Sequence, residues 1–228
     1  VIAILVPVLG RPQNAQPLVD SIKQATTVPH RILFLCTPFD VDEINAVHET
    51  GADIHNVRWE AGPGDWAKKI NQGYRLTEEP FILLAADDLR FHTGWDTEVL
   101  RVAEETGAGV IGTNDLGNAT VMRGLHSTHP VVRRSYVDEY GTIDEPGKVL
   151  HEGYRHQWVD TELIATAQMR HQWAFAKGSH VEHMHPFWKK GKMDATYEKA
   201  LSTPTEDFAH FNQRKHLWSR AAMKARSA

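Results

Sequence analysis

The chain reads as an α/β protein built on a mostly parallel sheet. Three observations predict this. Strand-like and helix-like segments alternate through the first hundred residues, and the strand candidates are continuous apolar runs. The run at residues 81–86 then ends abruptly in two adjacent carboxylates, Asp87 and Asp88. Continuous apolar runs mark strands covered on both faces, as in parallel sheets. Ligands of such sheets bind off the carboxyl ends of the strands, where the carboxylate pair falls.

Taken in order, residues 1–8 are β-branched and apolar and predict the first strand, after which Gly10-Arg11-Pro12 turns the chain. Leu18, Ile22 and Ala25 give helical spacing over 17–25. Residues 31–36 predict a second strand, 41–50 a second helix through Val41, Ile44 and Val47, and 54–59 a third, weaker strand. Gly62-Pro63-Gly64 forms a loop, and Asp65 is placed to N-cap a helix carrying Trp66, Ile70 and Tyr74 at intervals of four. The acidic-ended strand follows. This βαβαβαβ order implies right-handed crossovers and a doubly wound sheet.

The second half is less regular. It predicts a short strand at 110–112, a polar loop over 113–124, and a strand turning into a helix over 131–140. A helix at 160–169, a short alternating strand at 181–185 and a helical stretch over 205–228 complete it.

Composition narrows the function. The net charge of −4 excludes a generally basic nucleic-acid coat. No apolar run approaches the roughly 18 residues of a membrane helix. The opening residues lack a basic flank and a cleavage pattern, so they read as a strand and not a signal peptide. Cys36 stands alone, which precludes an intrachain disulfide and fits a reducing cytoplasm.

Asp87 and Asp88 repel each other unless a cation lies between them. Mg²⁺ or Mn²⁺ takes one or two carboxylates plus phosphate oxygens, so the pair points to a divalent metal holding a phosphorylated ligand. A solvated strand end is the plainer alternative. Lys68 and Asn71 are three apart on one helix face and could reach a nucleotide, or could simply face water. There is no Gly-Lys-Ser/Thr loop and no Gly-Xaa-Gly-Xaa-Xaa-Gly, which argues against a Walker site and a dinucleotide cofactor. Asp160 and Glu162 open a helix, where acids serve the helix dipole or act as a general base. About 200° separates them around that helix, so both cannot face one cleft. His183 and His185 point the same way in an extended segment and His180 the opposite way, giving either a metal-ligand pair or a polar edge. Zinc hydrolysis is disfavoured: the histidines at His151 and His156 miss the required spacing by one residue, and His126 and His129 have no carboxylate nearby in sequence. The stretch 208–228 carries five basic residues and no acidic ones, fitting a solvated helix or an anion contact.

In sequence order these pieces resemble nucleotide-sugar-dependent glycosyltransferases of the GT-A fold, family 2 kind, and most of all the compact versions encoded by bacteriophages. The likeness rests on Val6-Pro7-Val8-Leu9-Gly10-Arg11-Pro12, the Lys68/Asn71 helix, Leu84-Ala85-Ala86-Asp87-Asp88, Phe91 and Gly94-Trp95-Asp96. It continues through Val132-Arg133-Arg134-Ser135, Asp160-Thr161-Glu162-Leu163 and Glu182-His183-Met184-His185-Pro186.

The resemblance implies a single GT-A domain over 1–228, with a nucleotide-sugar half at 1–100 and an irregular acceptor-side, catalytic half at 101–228. Pro7, Val8 and Arg11 would line the base pocket, and Asp65, Lys68 and Asn71 would flank the nucleotide. Asp87 matches the last acid of the Asp-Xaa-Asp metal motif and would touch both donor and metal. Asp88 follows it, and His183 or His185 would complete a Mn²⁺ or Mg²⁺ site. Asp160 matches the general base of inverting members, with Glu162 the neighbouring candidate. The implied reaction is metal-dependent, inverting sugar transfer from a nucleotide-diphosphate sugar, a UDP-sugar foremost, to a hydroxyl of a virion protein, a modified DNA base or a glycan. Two departures stand out. Ala85 replaces the first acid of the metal motif, and Cys36-Thr37-Pro38-Phe39-Asp40 replaces acids that often read the base, leaving the base open. A sugar-phosphate nucleotidyltransferase is the first alternative, for which Gly10-Arg11-Pro12 is a poor match. A non-catalytic nucleotide-sugar or glycan-binding protein is the second.

Overall fold

The computed structural model describes residues 1–200 and 204–218. Every residue of β1 (Ile2–Pro7) is buried. Ile2, Ile4 and Val6 pack on one side of the sheet, and Ala3 and Leu5 on the other. That two-sided burial is why the strand reads as an unbroken apolar run. The chain continues through α1 (Ala15–Ala25), β2 (His30–Cys36), α2 (Val41–Thr50), β3 (Asp53–Asn56), α3 (Asp65–Leu76) and β4 (Phe81–Leu84). β5 (Leu89–Phe91), α4 (Trp95–Thr106), β6 (Val110–Asn114), α5 (Ala119–Met122), β7 (Val131–Arg133) and α6 (Arg134–Glu139) follow. The chain then passes through α7 (Val159–Met169), β8 (Trp173–His183), α8 (Ala195–Ala200) and α9 (Pro204–Arg214).

The eight strands form one sheet in the order β3-β2-β1-β4-β7-β6-β8-β5. The first four run parallel, as the βαβ alternation requires. β7 enters antiparallel between β4 and β6, β8 runs parallel to β6, and β5 closes the far edge antiparallel to β8. Core side chains of α1, α2 and α4 cover one face, and those of α3, α6, α7 and α9 the other. The fold is a mixed α/β architecture, one sheet with helices on both faces.

Four local expectations need correction. Asp65 is the first helical residue and not the cap. Gly64 precedes it at a φ of 75°, and a Cβ there would lie 2.6 Å from the carbonyl oxygen of Glu152. The freed Asp65 carboxylate accepts from the Trp59 indole at 2.8 Å and pairs with Lys69 at 2.9 Å. The strand expected at 181–185 begins at Trp173 and stops at His183, and His185 instead caps a short 3₁₀ turn at Pro186–Trp188. The loop expected over 113–124 contributes Thr113 and Asn114 to β6 and one helical turn, α5. The helix expected over 205–228 ends in a 3₁₀ turn at Lys215–Trp218, and residues 219–228 lie outside the described residues.

Candidate active site

The site begins where β1 runs out. Gly10 donates its N–H to Asp40 Oδ2 and Arg11 its N–H to Glu43 Oε2, each at 2.7 Å. The start of α2 thus fixes the backbone of the turn and frees the Arg11 side chain to reach past the end of the sheet. There β4 has ended and the chain turns through Asp87 and Asp88 into β5. The turn is clamped from the opposite strand: Met184 donates its N–H to the Asp88 carbonyl at 2.8 Å, and Leu89 stands in register with His183.

This clamp concentrates charge. Arg11 Nη2 lies 2.5 Å from Asp87 Oδ1, and Nη1 lies 3.4 Å from Asp88 Oδ2. His183 Nε2 is 3.4 Å from the same Asp88 oxygen, which also accepts the Tyr197 hydroxyl. The Arg11 guanidinium stacks 5.0 Å over the Tyr197 ring. Burial pushes the Asp87 carboxyl well above its usual range despite the pull of Arg11, and the Asp88 charge adds to the push. Burial also opposes the Asp88 charge, but His183, Arg11 and Tyr197 outweigh it and hold Asp88 low. The two adjacent acids are therefore pushed in opposite directions, burial prevailing at Asp87 and the surrounding charges and hydrogen bonds at Asp88.

Two connected cavities flank this cluster. The smaller, about 260 Å³, is walled by Pro7, Val8, Asp65, Trp66 and Lys69 from one side and by Arg155, His156 and Thr196 from the other. The larger, about 460 Å³, runs from Asp88, His183 and His185 to Asp160. Pro7, Arg11, Trp66, His156 and Thr196 border both. A third hollow of about 690 Å³ lies behind the cluster, and Asp87 opens onto that one.

Asp160 sits in the first turn of α7, preceded by Trp158 at a φ of 68°. That left-handed residue is held by what surrounds it. Its ring packs on Phe208 and Phe211 of α9. Asp207 accepts the N–H groups of Arg155, His156 and Gln157 at 2.7, 2.9 and 2.7 Å. Asp160 Oδ2 lies 3.1 Å from His126 Nε2, and its Oδ1 accepts the N–H of Thr161. Burial would raise the Asp160 carboxyl, but the His126 charge and hydrogen bond outweigh it and hold it below its ordinary value.

Of the residues singled out in the sequence, Pro7, Val8, Arg11, Asp65, Asp88, Asp160, His183 and His185 line the two connected cavities. Four are placed elsewhere. Asp87 faces the rear hollow. Lys68 reaches the Pro63 carbonyl at 3.2 Å, while its buried neighbour Lys69 lines the smaller cavity, bound to Val8 O, Thr37 Oγ1 and Asp65. Asn71 is spent on the backbone of Val149 and Leu150 and on Glu152. Glu162 turns away from the cleft into a buried network with Tyr154 and Arg214. Sequence reasoning missed Lys69, His126, His129 and Tyr197. For His126 and His129, sequence neighbours offered no carboxylate, whereas the fold supplies Asp160 to the first and sets the second against His183, ring centroids 4.9 Å apart.

The donor set at Asp88 bears on a divalent cation. Donors about 2.1 Å from an octahedral Mg²⁺ lie roughly 3 Å apart. Asp88 Oδ2 and His183 Nε2 are 3.4 Å apart, and the buried Asp88 Oδ1 has no hydrogen-bond donor. The pair fits a cation that draws the rest of its shell from phosphate and water. Among the described residues no three His, Cys, Asp or Glu side chains form a metal-holding group, so the protein alone does not complete a shell.

The fold places the chain beside solved GT-A glycosyltransferase structures. S. aureus TarS 1-349 in complex with UDP is 10% identical, with a TM-score of 0.61, over 79% of this chain and 59% of that one. The Pyrobaculum calidifontis mannosyltransferase PcManGT, in complex with GDP-Man and Mn²⁺, is 10% identical at a TM-score of 0.62, over 80% and 56%. Glucosyl-3-phosphoglycerate synthase from Mycobacterium tuberculosis, with Mn²⁺, UDP and glucosyl-3-phosphoglycerate, is 13% identical at 0.55, over 76% and 68%. The chain thus spans slightly under three fifths of the first two. At these identities the likeness establishes the fold. No protein-family model and no curated protein matches the sequence. No helix among the described residues is long and apolar enough to cross a membrane.

Proposed function

We propose that this chain is an inverting glycosyltransferase, moving a sugar from a nucleotide-diphosphate sugar to an acceptor hydroxyl. The observation that carries the reading is one cleft with Asp88 and His183 at one end and Asp160 at the other, off the carboxyl ends of the parallel strands where this fold class binds ligands. The smaller cavity takes the nucleoside, with Trp66 offering a ring face and Asp65 and Lys69 its polar edge. UDP is the first candidate, in keeping with the UDP-bound structures of the same fold, and GDP the second. This reading needs both halves of the sequence, because Arg155, His156 and Thr196 wall the nucleoside cavity opposite Pro7 and Val8.

Asp88 and His183 would hold Mn²⁺ or Mg²⁺, which when bound offsets the negative charge that grows on the diphosphate as the sugar leaves. Arg11, already fixed at the junction of the two cavities, adds a second cationic group there. Asp160 takes the proton of the acceptor hydroxyl as that oxygen attacks the anomeric carbon on the face opposite the diphosphate. Its partner His126 keeps the carboxylate ionised and aimed. Glu162, engaged with Arg214, is a structural acid in this reading.

The larger cavity also bears on the acceptor. Its wall carries five aromatic side chains, Trp66, Trp158, Phe187, Trp188 and Tyr197, and one guanidinium already paired with carboxylates. Flat apolar faces beside acids suit a neutral sugar ring better than a phosphate backbone. A glycan is therefore the favoured acceptor over DNA carrying modified bases.

Incubation with UDP-glucose, UDP-GlcNAc or GDP-mannose and Mn²⁺ tests the reading. The expected result is release of free UDP or GDP, lost in Asp88→Ala. With pyrophosphate added, its attack on the sugar nucleotide to give a nucleoside triphosphate and release the sugar 1-phosphate would point to the nucleotidyltransferase instead. Binding without turnover across a glycan acceptor panel would leave a binding protein.

A further inference from the structure

His129 lies on the short connection between α5 and β7 and is buried. Its Nδ1 is 3.0 Å from the carbonyl oxygen of Leu84, the last residue of β4. A carbonyl only accepts, so Nδ1 carries the ring proton and Nε2 is left with a bare lone pair. That Nε2 is buried and has no hydrogen-bond partner in the protein, yet the ring lines the larger cavity. Buried acceptors without donors are rare and costly, and the ring that carries this one borders a ligand-sized space.

Its position along the cleft narrows the ligand. The ring packs edge-to-face on His183, the partner of Asp88. It also lies close enough to Asp88 and Asp160 to feel both charges. His129 therefore occupies the floor between the diphosphate end and the base end, where the transferred sugar must lie if the cleft works as proposed above. A third ligand to the cation is the competing role, but no three such side chains form a metal-holding group among the described residues.

We infer that His129 Nε2 accepts a hydrogen bond from a hydroxyl of the donor sugar, making His129 a specificity-determining residue. The inference rests on the glycosyltransferase reading. It is separable from that reading because it concerns the sugar and not the nucleotide.

Calorimetric titration of UDP, UDP-glucose, UDP-GlcNAc, GDP and GDP-mannose, with and without Mn²⁺, tests it on wild type, His129→Asn and His129→Gln. Asn keeps a donor near the Nδ1 position and deletes Nε2, whereas Gln restores an acceptor near Nε2. In His129→Asn the preferred sugar nucleotide should weaken about tenfold, the worth of one such hydrogen bond. Its parent diphosphate should stay within about twofold, and Gln should recover part of the loss. An equal loss on diphosphate and sugar nucleotide would overturn the inference, and so would an unchanged ratio. Loss of Mn²⁺ dependence in diphosphate binding would make His129 a cation ligand instead. A second measurement needs no variant to fold: monodeoxy forms of the preferred donor on wild type, one of which should bind about tenfold more weakly. No sensitive position among them overturns the inference. Where His129→Asn folds, that same deletion should cost it nothing further, and additive losses would overturn the pairing. Failure of every nucleotide to bind wild type would sink the glycosyltransferase reading itself, with this inference.

Discussion

Nε2 of His126 stands 3.1 Å from Oδ2 of Asp160, joining a loop before β7 to the first turn of α7. Burial works against the charge on each, lifting the acid and lowering the base, and their attraction reverses both: Asp160 is held down and His126 is raised. Replacing His126 by Leu leaves burial opposed by the weaker pull of the Thr161 N–H and His129 alone. The acid limb of the rate profile should then move to higher pH, as measured by kcat against pH.

The same pair sets a stability window. Asp160, its folded value lowered, contributes above the unfolded carboxylate range and loses that contribution as pH falls through its folded value. His126, its folded value raised, contributes below the ordinary imidazole range and loses that contribution as pH rises through its folded value. The stability gap between wild type and His126→Leu should therefore peak between those two ranges and shrink on either side. Urea unfolding at a series of pH values measures it.

Asp160→Asn should lower turnover by roughly 10²–10⁴ while sparing donor affinity, since a base aimed at the acceptor touches little of the nucleotide. Glu162→Gln should do the reverse of a catalytic lesion. It breaks a buried pair with Arg214, so stability should fall by about 3 kcal/mol with turnover per folded molecule retained. Collapse of turnover in the second variant alone would move the base to Glu162.

Lys69 and Lys68 should separate cleanly. Lys69→Met strands the Asp65 carboxylate and the Val8 carbonyl inside the smaller cavity. It should cost roughly 2–4 kcal/mol of stability and weaken nucleotide binding. Lys68→Met, losing one contact to Pro63, should stay within about 0.5 kcal/mol. Parallel denaturation and UDP titration compare them.

Asp96 is a structural acid. Its Oδ2 accepts the N–H groups of Thr27 and Val28 and the Thr27 hydroxyl, tying α4 to the turn after α1. Burial opposes its charge, but these bonds prevail and lower it. Asp96→Asn should destabilise by about 2 kcal/mol near neutrality. The difference should fade as pH drops through the lowered folded value, because wild type then loses the charge as well.

The parallel half of the sheet was legible because two-sided burial writes itself into β1, β2 and β4 as continuous apolar runs. β5 was not, since three residues after a turn carry no period. β8 was cut short because exposed Lys177 and Gly178 interrupt its apolar pattern midway. At the site, types were legible and directions were not. The chain leaves strand geometry at Leu84, so alternation no longer says which acid faces the cleft, and it is Asp88 and not Asp87 that lines the larger cavity. Pairings such as His126 with Asp160 come from the fold alone.

Asp207 has a consequence in time. The loop at Arg155, His156 and Gln157 that leads into Asp160 has three N–H groups answered by this one carboxylate, some fifty residues further on. During synthesis the strands around β1 can pair, and Arg11 can meet Asp87 and Asp88, well before α9 has left the ribosome. The wall carrying Asp160 must wait for it. A nascent chain therefore shapes the wall at Pro7, Val8 and Arg11 before the facing wall at Arg155, His156 and Asp160, and both cavities are closed only once α9 is in place.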